Sequence, residues 1–206
     1  MTKIAILVSG AGRGSNMTNI IKSCQDGTIN ATVDVVIGVN ESAAITIARE
    51  LGIKTVIISP KSFDNDEDYK DAVYNCILEH NVDLICLAGY MRLLSGKILK
   101  TFKNRIMNVH PALIPMFYGK GMYGHHIHEA AIKRGVKYSG CTVHFVDEEY
   151  DTGPIIKQSM VEVTEDDTPE TLAAKVLIEE HKTYREAVRL FALNKLKVED
   201  KRVYII

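Results

Sequence analysis

The chain has 206 residues and carries 25 Lys and Arg against 26 Asp and Glu, a formal net charge of −1 with the histidines neutral. That length suits one large domain with a single core, and the balanced charge lacks the basic excess of a dedicated nucleic-acid binder. Hydrophobic residues at 46% and charged residues at 25% describe a globular chain, not a disordered one. No apolar run approaches the roughly 20 residues that span a bilayer. The N-terminal MTKIAILVSG reads as a first strand and not as a signal peptide, because its apolar stretch is short and ends in turn residues. Cys24, Cys76, Cys86 and Cys141 form no C-x-x-C pair and read as buried, reduced thiols of a cytoplasmic protein.

In chain order, Lys3–Ser9, Thr32–Val39, Thr55–Ser59 and Asp83–Ala88 are short apolar runs bounded by turn residues, and each is predicted to be a strand. Amphipathic stretches separate them at Ser15–Gln25, Ser42–Leu51 and Asp66–Asn81. In the last of these Tyr69, Val73, Cys76, Ile77 and His80 recur three and four apart, one face of a helix. Continuous apolar strands alternating with helices imply a parallel sheet covered on both faces. A fifth strand is expected at Arg105–Val109, after a short helix beginning near Ser95. Tyr138–Val146 and Ile155–Val163 then read as longer strands. Thr168, Pro169 and Glu170 supply an N-cap, a first-position proline and an acidic first turn for a helix running to about Asn194. Lys195–Ile206 reads as a charged tail of one or two short strands. Lacking repeats and linkers, the chain is read as one domain over 1–206, with a mononucleotide-type half over 1–100 and a second half over 101–206.

Three places carry chemistry. Ser9-Gly-Ala-Gly-Arg-Gly-Ser-Asn16 lies between the first strand and first helix, where glycines allow close backbone approach and helix-start N–H groups favour an anion. It is no Walker A loop, and Ser15 stands where a dinucleotide fingerprint needs its third glycine, so a single phosphate fits better than a dinucleotide. Asn108-Val-His110-Pro111 ends the fifth strand. Period-two geometry puts Asn108 and His110 on one face: an amide to meet an oxyanion beside an imidazole to manage a proton. The third place is His144 with Asp151-Thr-Gly-Pro154. Thr142, His144 and Val146 share a strand face, and Asp151 is either a turn residue or a partner that orients His110.

His125, His126 and His128 cannot all face one centre on a regular helix, so no metal site is predicted and a surface cluster at a helix start is expected. Asp64, Asp66, Glu67, Asp68 and Asp71 read as a solvated acidic helix start favoured by the helix dipole.

Five segments in this order, SGAGRGSN at 9–16, LAGYMRLLS at 87–95, NVHPALIP at 108–115, GCTVHFVDEEYDTGP at 140–154 and IEEHKTY at 178–184, resemble the phosphoribosylglycinamide formyltransferases. The resemblance spans nearly the whole chain. It implies an α/β fold of formyltransferase type: an open, mostly parallel twisted sheet with helices on both faces and antiparallel strands in the C-terminal half. The implied reaction moves a formyl group from 10-formyltetrahydrofolate to the amine of glycinamide ribonucleotide, in purine biosynthesis. By the same resemblance Asn108, His110 and Asp151 are the catalytic residues, supported by Thr142 and His144. Gly14, Ser15 and Asn16 would hold the substrate phosphate, and Glu180 the ribose or glycinamide. Met91, Arg92, Leu93, Leu94, Val146 and Asp147 would line the folate pocket. The mechanism so implied has a cationic His110 beside the oxyanion, sustained by Asp151.

The segment MFYGKGMYGHHIHEA at 116–130 is longer and richer in glycine than in many relatives, and 116–126 is a candidate lid. Some relatives carry an arginine near position 66 for the folate tail. Here Asp66 stands there, which leaves Lys61, Arg92 or Lys120 to meet the tail. The expected partners are the two small molecules, with no metal, nucleic acid or membrane, in a monomer or homodimer. The chief alternative is a formyltetrahydrofolate deformylase, which normally carries an added N-terminal domain; methionyl-tRNA formyltransferase would need a substantially longer chain and a basic tRNA face. A nucleotide-binding sensor or NADP oxidoreductase would use the glycine loop but leave Asn108–Pro111 and Asp151–Pro154 unexplained.

Overall fold

The computed structural model describes residues 1–10 and 12–206. Its chain divides into two compact units, Met1–Met107 and Asn108–Ile206. Among the described residues no helix is long and apolar enough to cross a membrane.

In the first unit β1 (Thr2–Val8), β2 (Ala31–Gly38), β3 (Thr55–Ile57) and β4 (Leu84–Leu87) pair in parallel in the order β3-β2-β1-β4. They are joined by α1 (Ser15–Gln25), α2 (Ala43–Glu50) and α3 (Asp66–Glu79). Strand order explains how helices reach both faces. The chain moves outward through α1 and α2 and then returns past β1 through α3, and right-handed crossovers in opposite directions lie on opposite faces. Ile4 to Leu7 and Leu84 to Cys86 have no solvent exposure, as continuous apolar runs between two helical layers require. Asn65 caps α3, its side-chain oxygen accepting from the Asp68 N–H at 2.9 Å. β3 is shorter than predicted because Ser59-Pro60 opens a single 3₁₀ turn over Pro60–Ser62. A short α4 (Lys97–Thr101) precedes β5 (Ile106–His110), which starts in this unit beside β4, the Ile85 N–H donating to the Arg105 carbonyl at 2.9 Å.

The second unit takes the end of β5 and continues through α5 (His125–Arg134), β6 (Tyr138–Phe145), β7 (Ile155–Glu162), α6 (Pro169–Ala192), β8 (Leu196–Glu199) and β9 (Arg202–Ile205). Its strand order is β5-β6-β7-β9-β8, with β6–β7 and β8–β9 antiparallel and β7–β9 parallel. Thr168 caps α6 with reciprocal bonds to Thr171, and Pro169 fills the first helical position. The core of α6 against β6 and α5 includes Leu172, Val176, Cys141 and Ala131. Gly140 and Gly153 are fixed by space: a Cβ would lie 2.0 Å from the Ser159 carbonyl oxygen at the former and 1.9 Å from the Phe145 carbonyl oxygen at the latter. The protein is thus α/β, with parallel pairing through its first unit and antiparallel pairs confined to the second.

Candidate active site

In the first unit the connections after β1 and β2 run outward and the one leading into β4 runs back, so the carboxyl ends of β1 and β4 flank a topological switch point, where open α/β sheets bind ligands. The glycine loop leaves β1 there. Gly14 precedes α1 at φ +74°, and a Cβ on it would meet the Ala44 methyl at 2.9 Å; only glycine brings the backbone this close to α2 while turning into the helix. Ser15 opens α1 and Asn16 follows, both half-buried, while Ala11 lies outside the described residues. The segment after β4 is tied to this loop: the Ser9 hydroxyl accepts from the Met91 N–H at 2.8 Å, and the Ser9 N–H donates to the Gly89 carbonyl at 3.3 Å. Within that segment Leu94 is buried at 4% exposure, whereas Met91 at 41% and Leu93 at 37% leave apolar surface open, the character of a ligand-pocket wall. Arg92 is engaged by its neighbours. Its guanidinium pairs with Asp66 and lies 4.6 Å over the Tyr69 ring, and the Tyr69 hydroxyl meets that of Tyr90 at 2.8 Å. Asp66 is therefore no merely solvated helix-start charge.

The second unit holds the three predicted catalytic side chains together. Asn108 and His110 share a face of β5 and both reach Asp151: the Asn108 Nδ2 donates to Oδ1 at 3.4 Å, and His110 Nδ1 lies 3.4 Å from Oδ2. Asp151 follows β6 in a left-handed conformation, φ +59°, tolerable for aspartate and typical of residues held for function. Its carboxylate also accepts from the Gly119 N–H at 3.2 Å and lies 3.5 Å from His144 Nε2. His144 donates from Nδ1 to the Phe145 carbonyl at 2.8 Å, and its Nε2 lies 3.4 Å from Asn108 Nδ2. The Asn108 amide thus makes only long contacts, geometry that a stronger acceptor can replace.

The charges follow from burial and neighbours. Burial alone would raise the Asp151 carboxyl, but His144, the His110 charge and the Gly119 N–H together hold it below the usual carboxylate range. His110 is 4% exposed, and burial lowers its affinity for a proton more than Asp151 and the Phe117 carbonyl raise it. Burial thus opposes the charge on the imidazole that the Asp151 carboxylate favours. His110 Nε2 donates to the Phe117 carbonyl at 2.8 Å.

Thr142 is buried at 0% exposure and works as a staple. Its hydroxyl donates to the Ala112 carbonyl at 2.7 Å and accepts from the Ile114 N–H at 3.0 Å, fixing the chain that leaves His110 just before the cis Ile114–Pro115 bond. Gln158, which the sequence reading passed over, completes the staple by donating to Thr142 Oγ1 at 2.9 Å and to the Ile114 carbonyl at 3.0 Å; its place opposite Thr142 in the β6–β7 register is the signal for it. The Phe117 carbonyl and Gly119 N–H were also missed, because backbone groups leave no mark on residue type. Val146 is half-buried, and Asp147 shapes the turn before Asp151 by accepting from the Thr152 hydroxyl at 2.7 Å. Glu180 is 9% exposed on α6, near enough to Cys141 to help hold that thiol's pKa up, although burial is the larger cause. The histidine cluster is not wholly on the surface: His125 and His126 are exposed, but His128 is 5% exposed with Nδ1 lacking a hydrogen-bond partner. Among the described residues no group of His, Cys, Asp and Glu gathers as a metal site, and all four cysteines are free, Cys24 and Cys76 only half-buried.

The formyl transferase family model matches residues 2–188. A chloroplastic phosphoribosylglycinamide formyltransferase of Arabidopsis thaliana is 40% identical over 99% of this chain and 70% of its own length. The human trifunctional purine biosynthetic protein adenosine-3 is 38% identical over 92% of this chain, which spans only 18% of that longer protein. Among solved structures, glycinamide ribonucleotide transformylase 1 from Symbiobacterium toebii is 40% identical with a TM-score of 0.93, covering 100% of this chain and 94% of its own. The chain belongs to the formyl transferase family, in its phosphoribosylglycinamide formyltransferase branch.

Proposed function

We propose that the enzyme transfers the formyl group of 10-formyltetrahydrofolate to the amine of glycinamide ribonucleotide, yielding formylglycinamide ribonucleotide and tetrahydrofolate. The observation that carries this reading is the Asn108–His110–Asp151 cluster: an amide donor and an imidazole on one strand face, both against one carboxylate. The amine attacks the formyl carbon and the carbonyl oxygen gains negative charge. The Asn108 amide exchanges its long bonds for one to that oxygen, where its dipole counts most. The arriving charge raises the proton affinity of His110, which takes the proton shed by the attacking nitrogen and returns it to the departing folate nitrogen. Asp151 keeps the imidazole oriented and offsets its transient charge. Gly14, Ser15 and Asn16 take the phosphate on helix-start N–H groups, and Glu180 takes the ribose or glycinamide. Met91, Leu93 and Leu94, with Val146 and Asp147, serve the pterin.

The test combines the protein with both substrates and follows tetrahydrofolate release. Release that requires the ribonucleotide is the expected result. Release at the same rate without it means that water is the acceptor, and overturns the reading in favour of a deformylase.

A further inference from the structure

We propose that the outer edge of β8 is a self-docking surface, on which a second copy of this chain lays its own β8 antiparallel and joins the two sheets into one. β8 ends the strand order β5-β6-β7-β9-β8, and among the described residues no strand pairs with its outer side. The register fixes what that side offers. Asp200, at φ +53°, and Lys201 form the two-residue turn between β8 and β9. The strands pair as Leu196 with Ile205, Lys197 with Tyr204, Val198 with Val203 and Glu199 with Arg202, and the Ile206 N–H donates to the Lys195 carbonyl at 3.0 Å. Bonded and non-bonded pairs alternate along an antiparallel ladder. Lys195, Lys197 and Glu199 therefore bond inward to β9, and Leu196 and Val198 turn their N–H and C=O groups outward.

An open edge is commonly guarded by a charge that repels a second copy. This edge carries both signs. Lys197 and Glu199 lie two apart and so share a face; their side chains are 59% and 53% exposed and meet at 2.7 Å. Antiparallel pairing with Val198 opposite the partner's Val198 sets Lys197 against the partner's Glu199, and Glu199 against the partner's Lys197. The hydrogen-bond pattern agrees. Val198, whose polar groups point outward, becomes a bonded pair, and the Lys–Glu positions become non-bonded pairs, where facing side chains come closest. On the other face Val203 and Val198 continue into the partner's Val198 and the partner's Val203, one apolar row across the junction. Sliding the partner by two residues sets Lys197 or Glu199 against its own copy, like charge against like. Charge thus selects a single register, and the contact is isologous and closes as a dimer.

The experiment is sedimentation equilibrium of the full chain over about 1–200 µM. The native protein should approach twice the monomer mass at the top of this range. Lys197→Glu or Glu199→Lys alone meets its own copy with like charges at both contacts, and should dimerise at least about tenfold more weakly. Mixed in equal amounts, the two variants are complementary again at both contacts and should recover dimers of native strength. A pairing within one chain cannot produce that recovery. Val198→Cys gives an independent measurement, because the Cα atoms of a bonded pair lie about 5.5 Å apart, within disulfide range. Under a mild oxidant it should cross-link to a dimer well beyond the native protein, whose four free cysteines are the control. A native protein that stays monomeric throughout, a dimer indifferent to both charge reversals, a mixture that stays monomeric, or no excess cross-linking overturns the proposal.

Discussion

The glycine loop at the end of β1 and the cluster at the end of β5 both present polar groups at a strand's carboxyl edge, but they are made of different material. The loop uses backbone. Gly14 at φ +74° packs against Ala44, and α1 begins at once, so helix-start N–H groups are what it presents. The cluster uses buried side chains whose bonds converge on Asp151, with Asn108, His110, His144 and the Gly119 N–H all around one carboxylate. A backbone site tolerates changes of side-chain chemistry but not of space. A side-chain site tolerates little of either, and its charges answer to pH.

The largest expected effect falls on the cluster. Asn108→Ala or His110→Ala should lower kcat on the order of 10²- to 10³-fold, the scale for one lost oxyanion donor or proton carrier. The double variant should cost much less than the product of the two, since both side chains serve one transition state through Asp151. Steady-state kinetics on all three proteins is the check, and near-normal turnover in either single variant would remove that residue from the mechanism.

The second prediction concerns pH, and separates the regions by stability. Burial, helped by the charges of His125 and His110, pushes the His128 imidazole down to about 4 from 6.5. Above the unfolded value both states are neutral and nothing is lost. As pH falls from 6.5 towards 4 the unfolded chain binds a proton that the folded one refuses, so stability drops. The full window is worth on the order of 3 kcal/mol. Burial lowers His110 too, with the same sign. Urea unfolding at pH 7.5 and 4.5 should show this loss in the native protein and about that much less of it in His128→Phe, which keeps an aromatic ring and removes the titration. A parallel loss in both proteins would assign the acid sensitivity elsewhere.

Third comes Gly14→Ala. A methyl there costs left-handed strain and a contact at 2.9 Å with the Ala44 methyl, about 1–2 kcal/mol. Because the same backbone is to hold the phosphate, KM for the ribonucleotide should rise several-fold while kcat for bound substrate stays within about twofold, an effect of uniform binding. A fall in kcat matching that of His110→Ala would erase the distinction between the two regions.

The difference in material also decides what could be read from sequence. Apolar runs, turn residues and the Thr168–Pro169 start placed the elements to within a few residues, because burial on both faces leaves a continuous pattern. Asn108 and His110 were legible as a pair because a strand's period is two. Asp151 was not legible from spacing, since its approach to His110 depends on a turn, on φ +59° and on Gly153 having no Cβ beneath the Phe145 carbonyl. The resemblance supplied that residue, and geometry then supplied its partners. What was lost was of two kinds. Carbonyl and N–H partners such as Phe117 and Gly119 have no residue-type signature, and His128 lay in a run of histidines whose polarity suggested exposure while the helix turned that one inward. Arg92 was expected to be open to a ligand; its engagement by Asp66 needed the packing of α3 beside the 91–94 segment to be seen.

The smallest expected effect tests where the comparison blurs. Ser9 is a side chain on which the backbone-built region leans, because its hydroxyl accepts the Met91 N–H at 2.8 Å and so joins the glycine loop to the 91–94 segment. Ser9→Ala removes that acceptor but leaves Met91 N–H near solvent, since Met91 is 41% exposed. The loss is then that of one ordinary hydrogen bond, about 1 kcal/mol, not the larger penalty of an orphaned buried donor. If the two segments are positioned together, KM for the ribonucleotide and for the folate should both rise, each by no more than about fivefold, with kcat little changed. A rise in only one would mean that Ser9 supports that segment alone. No rise in either would mean that the loop is held without help from the Ser9 hydroxyl, which would sharpen the contrast with the Asp151 cluster.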